Sequence, residues 1–115
     1  MARTSLTPQQ VVTTGLEANY TAANVDGHMF PPGTNRMLHV KNGGGSSINV
    51  TVQAEYTRDG LALPDRVVAV PNGEERMIGP FDRETYAQRS GNDRGKVYVD
   101  FSAVTSVTVA LIDVG

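Results

Sequence analysis

The chain has 115 residues, of which 39% are apolar and 19% charged, with 12 Gly, 6 Pro and no Cys. That is the length of one domain, able to bury roughly two thirds of its unfolded surface without cross-links, and the missing cysteine excludes disulfides, thiol catalysis and Cys-ligated metal. A net charge of -2 with no basic run removes the electrostatic footprint of a nucleic-acid binder. No signal-type apolar region follows the start and no apolar run reaches membrane-span length, so the expectation is a cytosolic product that binds neither nucleic acid nor membrane.

Residues 1–10 are polar and include Pro8 and two glutamines, and are expected to form an extended arm, either loose or laid on a partner. Residues 11–115 are expected to form the folded domain. Val11, Val12, Thr13 and Thr14 suit a strand that Gly15 breaks or bulges, residues 19–23 suit a second short strand or a turn, and Asn24 to Gly27 carry turn chemistry. Phe30-Pro31-Pro32-Gly33 reads as a loop, because paired prolines cannot join a central ladder. Residues 36–41 read as a strand with Leu38 and Val40 inward. The connector 42–47 then leads into residues 48–56, and the two strands read as a long-looped hairpin.

The 48–56 stretch is the clearest element. Ile48, Val50, Val52, Ala54 and Tyr56 share one parity, while Asn49, Thr51, Gln53 and Glu55 share the other. In an extended chain this makes one apolar and one wet face, as in antiparallel sheets with one face in solvent. Residues 66–70 follow as a strand with Val68 and Val70 on one face. Pro71-Asn72-Gly73 is a tight hairpin turn, and the return strand brings Ile78 and Phe81 to the core with Pro80 at its end. Residues 82–90 are polar, with a short helical turn capped by Asp82, and residues 90–95 form an exposed turn. In 96–103, Val97, Val99, Phe101 and Ala103 point inward. In 106–114, Val107, Val109 and Leu111 share one face, and Ala110, Ile112 and Val114 lie on another that is partly covered. Six to seven short strands with turns every 8–12 residues predict an all-β, single-domain antiparallel β-sandwich, with a small closed barrel as second choice.

Reactive constellations are sparse. His28 and His39 are the only histidines, and with Asp26 they fall short of the three or four ligands a zinc site needs, so both are expected at the surface. The run Gly43-Gly44-Gly45-Ser46 has Lys41 before its glycines and no helix after, which makes it a linker and not a phosphate loop. Glu74, Glu75, Asp82 and Glu84 read as solvated carboxylates. Gly-x-Ser-x-Gly and EF-hand spacings are absent. No metal, cofactor or catalytic residue is expected. Eight of the ten basic residues are Arg, and Arg with aromatic side chains anchors protein interfaces. Arg3, Leu6, Phe30, Arg36, Arg89, Arg94 and Tyr98 are therefore the candidate partner contacts, whereas Tyr86 is read as plugging an open end of the core.

A further signal lies in the order of several segments: Thr7-Pro8-Gln9-Gln10-Val11-Val12, Thr21-Ala22-Ala23-Asn24-Val25-Asp26-Gly27, His39-Val40-Lys41-Asn42-Gly43-Gly44, Val70-Pro71-Asn72-Gly73-Glu74, Ile78-Gly79-Pro80-Phe81 and Gly95-Lys96-Val97-Tyr98-Val99-Asp100-Phe101-Ser102. As a set covering most of the chain they resemble small all-β structural proteins of tailed bacteriophages, of the head (capsid) decoration kind. The resemblance implies a virion protein on the outside of an icosahedral shell, bound to the major capsid protein and in some cases to copies of itself, cementing capsomers without enzymatic activity. Its motifs are turn and strand signatures and assign no contact residues. A tail or neck role in the same virion fits the same resemblance. A carbohydrate-binding module using Tyr98, Tyr86 or Phe30 as stacking platforms, and a small hydrolase or cupin-like metal site, are the readings from other classes.

Overall fold

A computed structural model describes residues 3–54, 57–62, 64–89, 91 and 93–114. Among the described residues the chain is all-β apart from one helical turn. Seven strands have three or more residues: β4 (His28–Phe30), β5 (Arg36–Asn42), β6 (Ile48–Val52), β9 (Arg66–Val70), β10 (Glu75–Ile78), β11 (Val97–Phe101) and β12 (Val107–Asp113). Five more have two residues each: β1 (Thr4–Ser5), β2 (Gln9–Gln10), β3 (Thr21–Ala22), β7 (Thr57–Arg58) and β8 (Leu61–Ala62). The helical turn, α1 (Arg83–Tyr86), is capped by the Asp82 side chain, which accepts from the Thr85 N–H.

Two five-stranded sheets result. The first has the order β1-β4-β11-β6-β9, and the second has β10-β5-β12-β2 with β3 also paired to β12. The period-two alternation places the core. In β6, Ile48, Val50 and Val52 are buried and Asn49 is exposed. Val97 and Val99 of β11, Leu38 and Val40 of β5, and Val107, Val109 and Leu111 of β12 meet Phe30, Val70 and Phe81 in one hydrophobic cluster shared by both sheets. The outer face of β12 is covered at Ala110 and Ile112, while Val114 beyond it is exposed.

The architecture departs from expectation in several places. The sheets are mixed, because β1 runs parallel to β4 and β2 runs parallel to β12. Residues 3–10 are therefore no separate arm. They cross from the first sheet to the second, and Leu6 is buried in the shared core between the two pairings. An apolar side chain six residues in, flanked by backbone that finds open edges on the same domain, gains more from this seat than from solvent. Residues 11–14 are exposed and form no strand, since the chain leaves β12 at Val11 and turns where the Gly15 N–H reaches the Val12 carbonyl.

Neither expected hairpin pairs its own strands. The 42–47 connector carries the chain from β5 in the second sheet to β6 in the first, and Pro71-Asn72-Gly73 carries it back from β9 to β10. Asn42 pins both crossings. Its buried side-chain Nδ2 donates to the carbonyls of Ser46 and Val70, its Oδ1 accepts from the Gly44 N–H, and its own carbonyl accepts from the Gly73 N–H at 2.7 Å. β6 ends at Val52, and the Ala54 N–H turns to the Asp65 carboxylate; Glu55 and Tyr56 lie outside the described residues, as do Ser90 and Asn92 of the 90–95 turn. β11 ends at Phe101, which leaves Ala103 exposed instead of inward.

Candidate partner-contact surface

The seven candidate contacts separate into three groups. Phe30 and Leu6 belong to the core. Phe30 lies on β4, fully buried, with its ring edge-on to Phe81 at 5.0 Å, so neither residue is available to a partner. Pro31 ends β4, and the expected loop begins one residue later than the pattern Phe-Pro-Pro-Gly suggests.

Arg3 and Tyr98 meet on the outward face of the first sheet. The Arg3 guanidinium lies 4.0 Å over the Tyr98 ring and pairs with Asp100 at 2.7 Å. It also donates to the Val99 carbonyl at 3.2 Å. The Tyr98 hydroxyl donates to Asp93, which raises its pKa because the carboxylate favours the protonated phenol. Gly27 makes this cluster possible. At φ +88 it sits beneath Arg3, and a Cβ there would lie 2.6 Å from Asp100 Oδ1 and 2.7 Å from the Val99 carbonyl. Arg36 is engaged elsewhere. It forms a two-pronged pair with Asp113 at 2.6 and 2.9 Å and also donates to the Pro31 and Pro32 carbonyls, tying the start of β5 to the end of β12. The hydrogen bonds from Arg36 hold Asp113 below the ordinary carboxylate pKa, and Asp113 raises that of Arg36.

Arg89 and Arg94 come together with Arg83, which the sequence reading left out. These three line a groove of about 570 Å³ between α1 and the 93–95 turn, with Glu84, Ala87, Gln88 and Gly95 completing its wall. All three arginines are exposed. Among the described residues Arg83 and Arg94 have no side-chain hydrogen bond or ion pair, and Arg89 donates to the Glu84 carbonyl. Gln88 is held in place by its backbone, which exchanges bonds with Lys96 and Gly95 at 2.8 Å. Its amide nitrogen is buried with no acceptor among the described residues, a condition that costs about 1–3 kcal/mol. Gly95 gives the Arg83 guanidinium its place, since a Cβ there would stand 3.2 Å from Arg83 Nη2.

The histidines are buried, against expectation. His28 faces the first sheet's interior beside Phe101, with Nδ1–H donating to the Thr4 carbonyl and Nε2 accepting from the Asn24 N–H. Burial lowers its pKa, opposed by the Thr4 bond and reinforced by the Arg3 charge. His39 lies on the outer face of the second sheet under Tyr20. Glu75 accepts from Nε2–H at 2.6 Å, which leaves Nδ1 to accept from the Tyr20 hydroxyl at 2.7 Å. The strand parity of His39 was legible; the Tyr20 side chain that covers it comes from 19 residues upstream. A hydroxyl, an imidazole and a carboxylate thus stand in series, with both imidazole nitrogens used inside the fold. Among the described residues no three His, Asp or Glu side chains converge as metal ligands. Comparison with protein-family models, curated proteins and solved structures finds no match for this chain.

Proposed function

We propose that this protein is a structural component of a tailed-bacteriophage virion, a capsid decoration protein that binds the outside of the major capsid protein lattice and acts by contact alone. On this reading the two sheets are the layers of a β-sandwich, and the protein works at the capsid surface, beside copies of itself where the lattice brings them together. The observation that carries the proposal is the ordered set of turn and strand segments. Those segments coincide with the elements that hold the domain in shape: 7–12 with the stretch that reaches β12, 39–44 and 70–74 with the two crossings pinned by Asn42, and 95–102 with β11. A shell-binding protein needs a stiff body and side chains free to reach outward. The core shared by both sheets supplies the first, and Arg83 and Arg94 the second. A sugar-binding module has less support, because Phe30 is buried, Tyr86 packs edge-on against Phe81, and one face of Tyr98 carries Arg3.

The test is reconstitution. Purified protein is added to empty shells assembled from the major capsid protein of the same virion, and occupancy is read by co-sedimentation and electron microscopy. Saturable, lattice-ordered occupancy is expected. Failure to bind those shells, together with ordered binding to tail or neck assemblies, would move the protein to the tail or neck of the virion.

A further inference from the structure

We infer that the groove lined by Arg83, Arg89 and Arg94 is a docking site for an acidic peptide segment of a partner protein. Three guanidinium-bearing residues surround one groove on a chain whose net charge is -2, so this positive patch runs against the sign of the whole. The neighbouring acids do little to neutralise it. Asp82 is occupied by the Thr85 N–H and hydroxyl, and Asp93 accepts from Tyr98. Glu84 is the one carboxylate among the described lining residues, and it is the Glu84 backbone carbonyl that receives Arg89. Forked guanidinium donors match carboxylates in pairs.

The Gln88 amide points to the same ligand. It belongs to the groove wall, and its nitrogen lacks an acceptor among the described residues. The terminal amide torsion of Gln is broad, so a modest rotation presents this donor to a carboxylate seated between the arginines. A groove of about 570 Å³ is several times the volume of a single small anion and suits consecutive side chains of a peptide. Charge complementarity therefore selects a run of Asp or Glu as the occupant. This inference does not depend on the virion assignment, since it concerns what the groove accepts and not where the partner resides.

Titration of the full chain with a hexaglutamate peptide at low salt, followed by amide NMR, tests it. Saturable shifts confined to residues 83–89 and 93–96 are expected. The double variant Arg83→Ala/Arg94→Ala should weaken the peptide by about ten-fold or more, with unchanged thermal stability, because neither side chain has a polar partner among the described residues. Gln88→Leu should weaken the peptide while raising stability, since it removes an amide without an acceptor. Arg66→Ala, which removes one positive charge in a separate groove between β9 and α1, is the control for loss of charge elsewhere on the surface and should leave binding unchanged. Absence of saturable shifts, equal weakening by Arg66→Ala, or inorganic phosphate binding as tightly as the peptide would overturn the inference.

Discussion

Gly27 and His28 are adjacent in the chain and limit it in different ways. Gly27 combines a left-handed backbone with the space that Arg3 needs beside Asp100. Gly27→Ala should cost roughly 2 kcal/mol, from the backbone penalty and from displacing the ion pair. Denaturant unfolding would show it, and a drop no larger than a few tenths would mean the Arg3 cluster yields without resistance. His28 is held neutral by two hydrogen bonds that only one tautomer can make. Its folded pKa lies below the ordinary 6.5. Above pH 6.5 both folded and unfolded chains carry it neutral, and its contribution is complete. As the pH falls below 6.5 the unfolded chain takes up the proton first, so stability declines until the lower folded value is passed. The slope in that window is at most about 1.4 kcal/mol per pH unit. A His28 ring titration with a midpoint at or above 6.5 by NMR would contradict this account.

Strands and connections depend on single anchoring side chains. Leu6 is the apolar side chain between two short parallel pairings, so Leu6→Ala should release β1 and β2 together and cost about 2–3 kcal/mol. Faster hydrogen exchange at Met29 and Asp113, whose strands lose a neighbour, would accompany it. If exchange there stayed slow, the pairings would stand without the core contact. Asn42 is the corresponding residue at the opposite crossings. Asn42→Ala removes two donated bonds and one accepted bond and leaves the buried Val70 carbonyl without that donor, for an expected loss of about 3 kcal/mol. Asn42 stands in a sequence, Asn-Gly-Gly-Gly-Ser-Ser, that looks like a flexible linker. The composition of that run describes what the backbone can do, while the carbonyl of Val70, 28 residues further on, determines what Asn42 does.

For the whole molecule, the decisive feature is that one core serves two sheets joined by several crossings. Neither sheet keeps its buried face if the other leaves, so unfolding should be a single two-state transition. Tyr20 reports on the second sheet and Tyr98 on the first. Site-specific probes at the two should give coincident midpoints, and separated midpoints would show that the sheets come apart independently. The contact surface is also a property of the whole. Of the seven residues nominated from the sequence, two are core, three are engaged in ion pairs or ring contacts, and Arg89 and Arg94 reach a shared groove. Arg83 completes that groove because α1 turns its guanidinium over Gly95, a glycine twelve positions further along the chain.

The positions of β5, β6, β9, β10, β11 and β12 and their core-facing sides were determined by the sequence alone, whereas the strand expected at 11–14, the loop expected at Phe30 and the inward Ala103 were not borne out. Alternation is a property of neighbouring residues, and an extended backbone converts it directly into two faces. Which sheet each strand joined, the parallel pairing of residues 4–5 and 9–10, and the burial of His28, His39 and Asn42 were decided only by the tertiary structure. A polar side chain becomes an interior one when distant parts of the chain supply its hydrogen-bond partners, as Glu75 does for His39 from 36 residues away. No local pattern of residues carries that information.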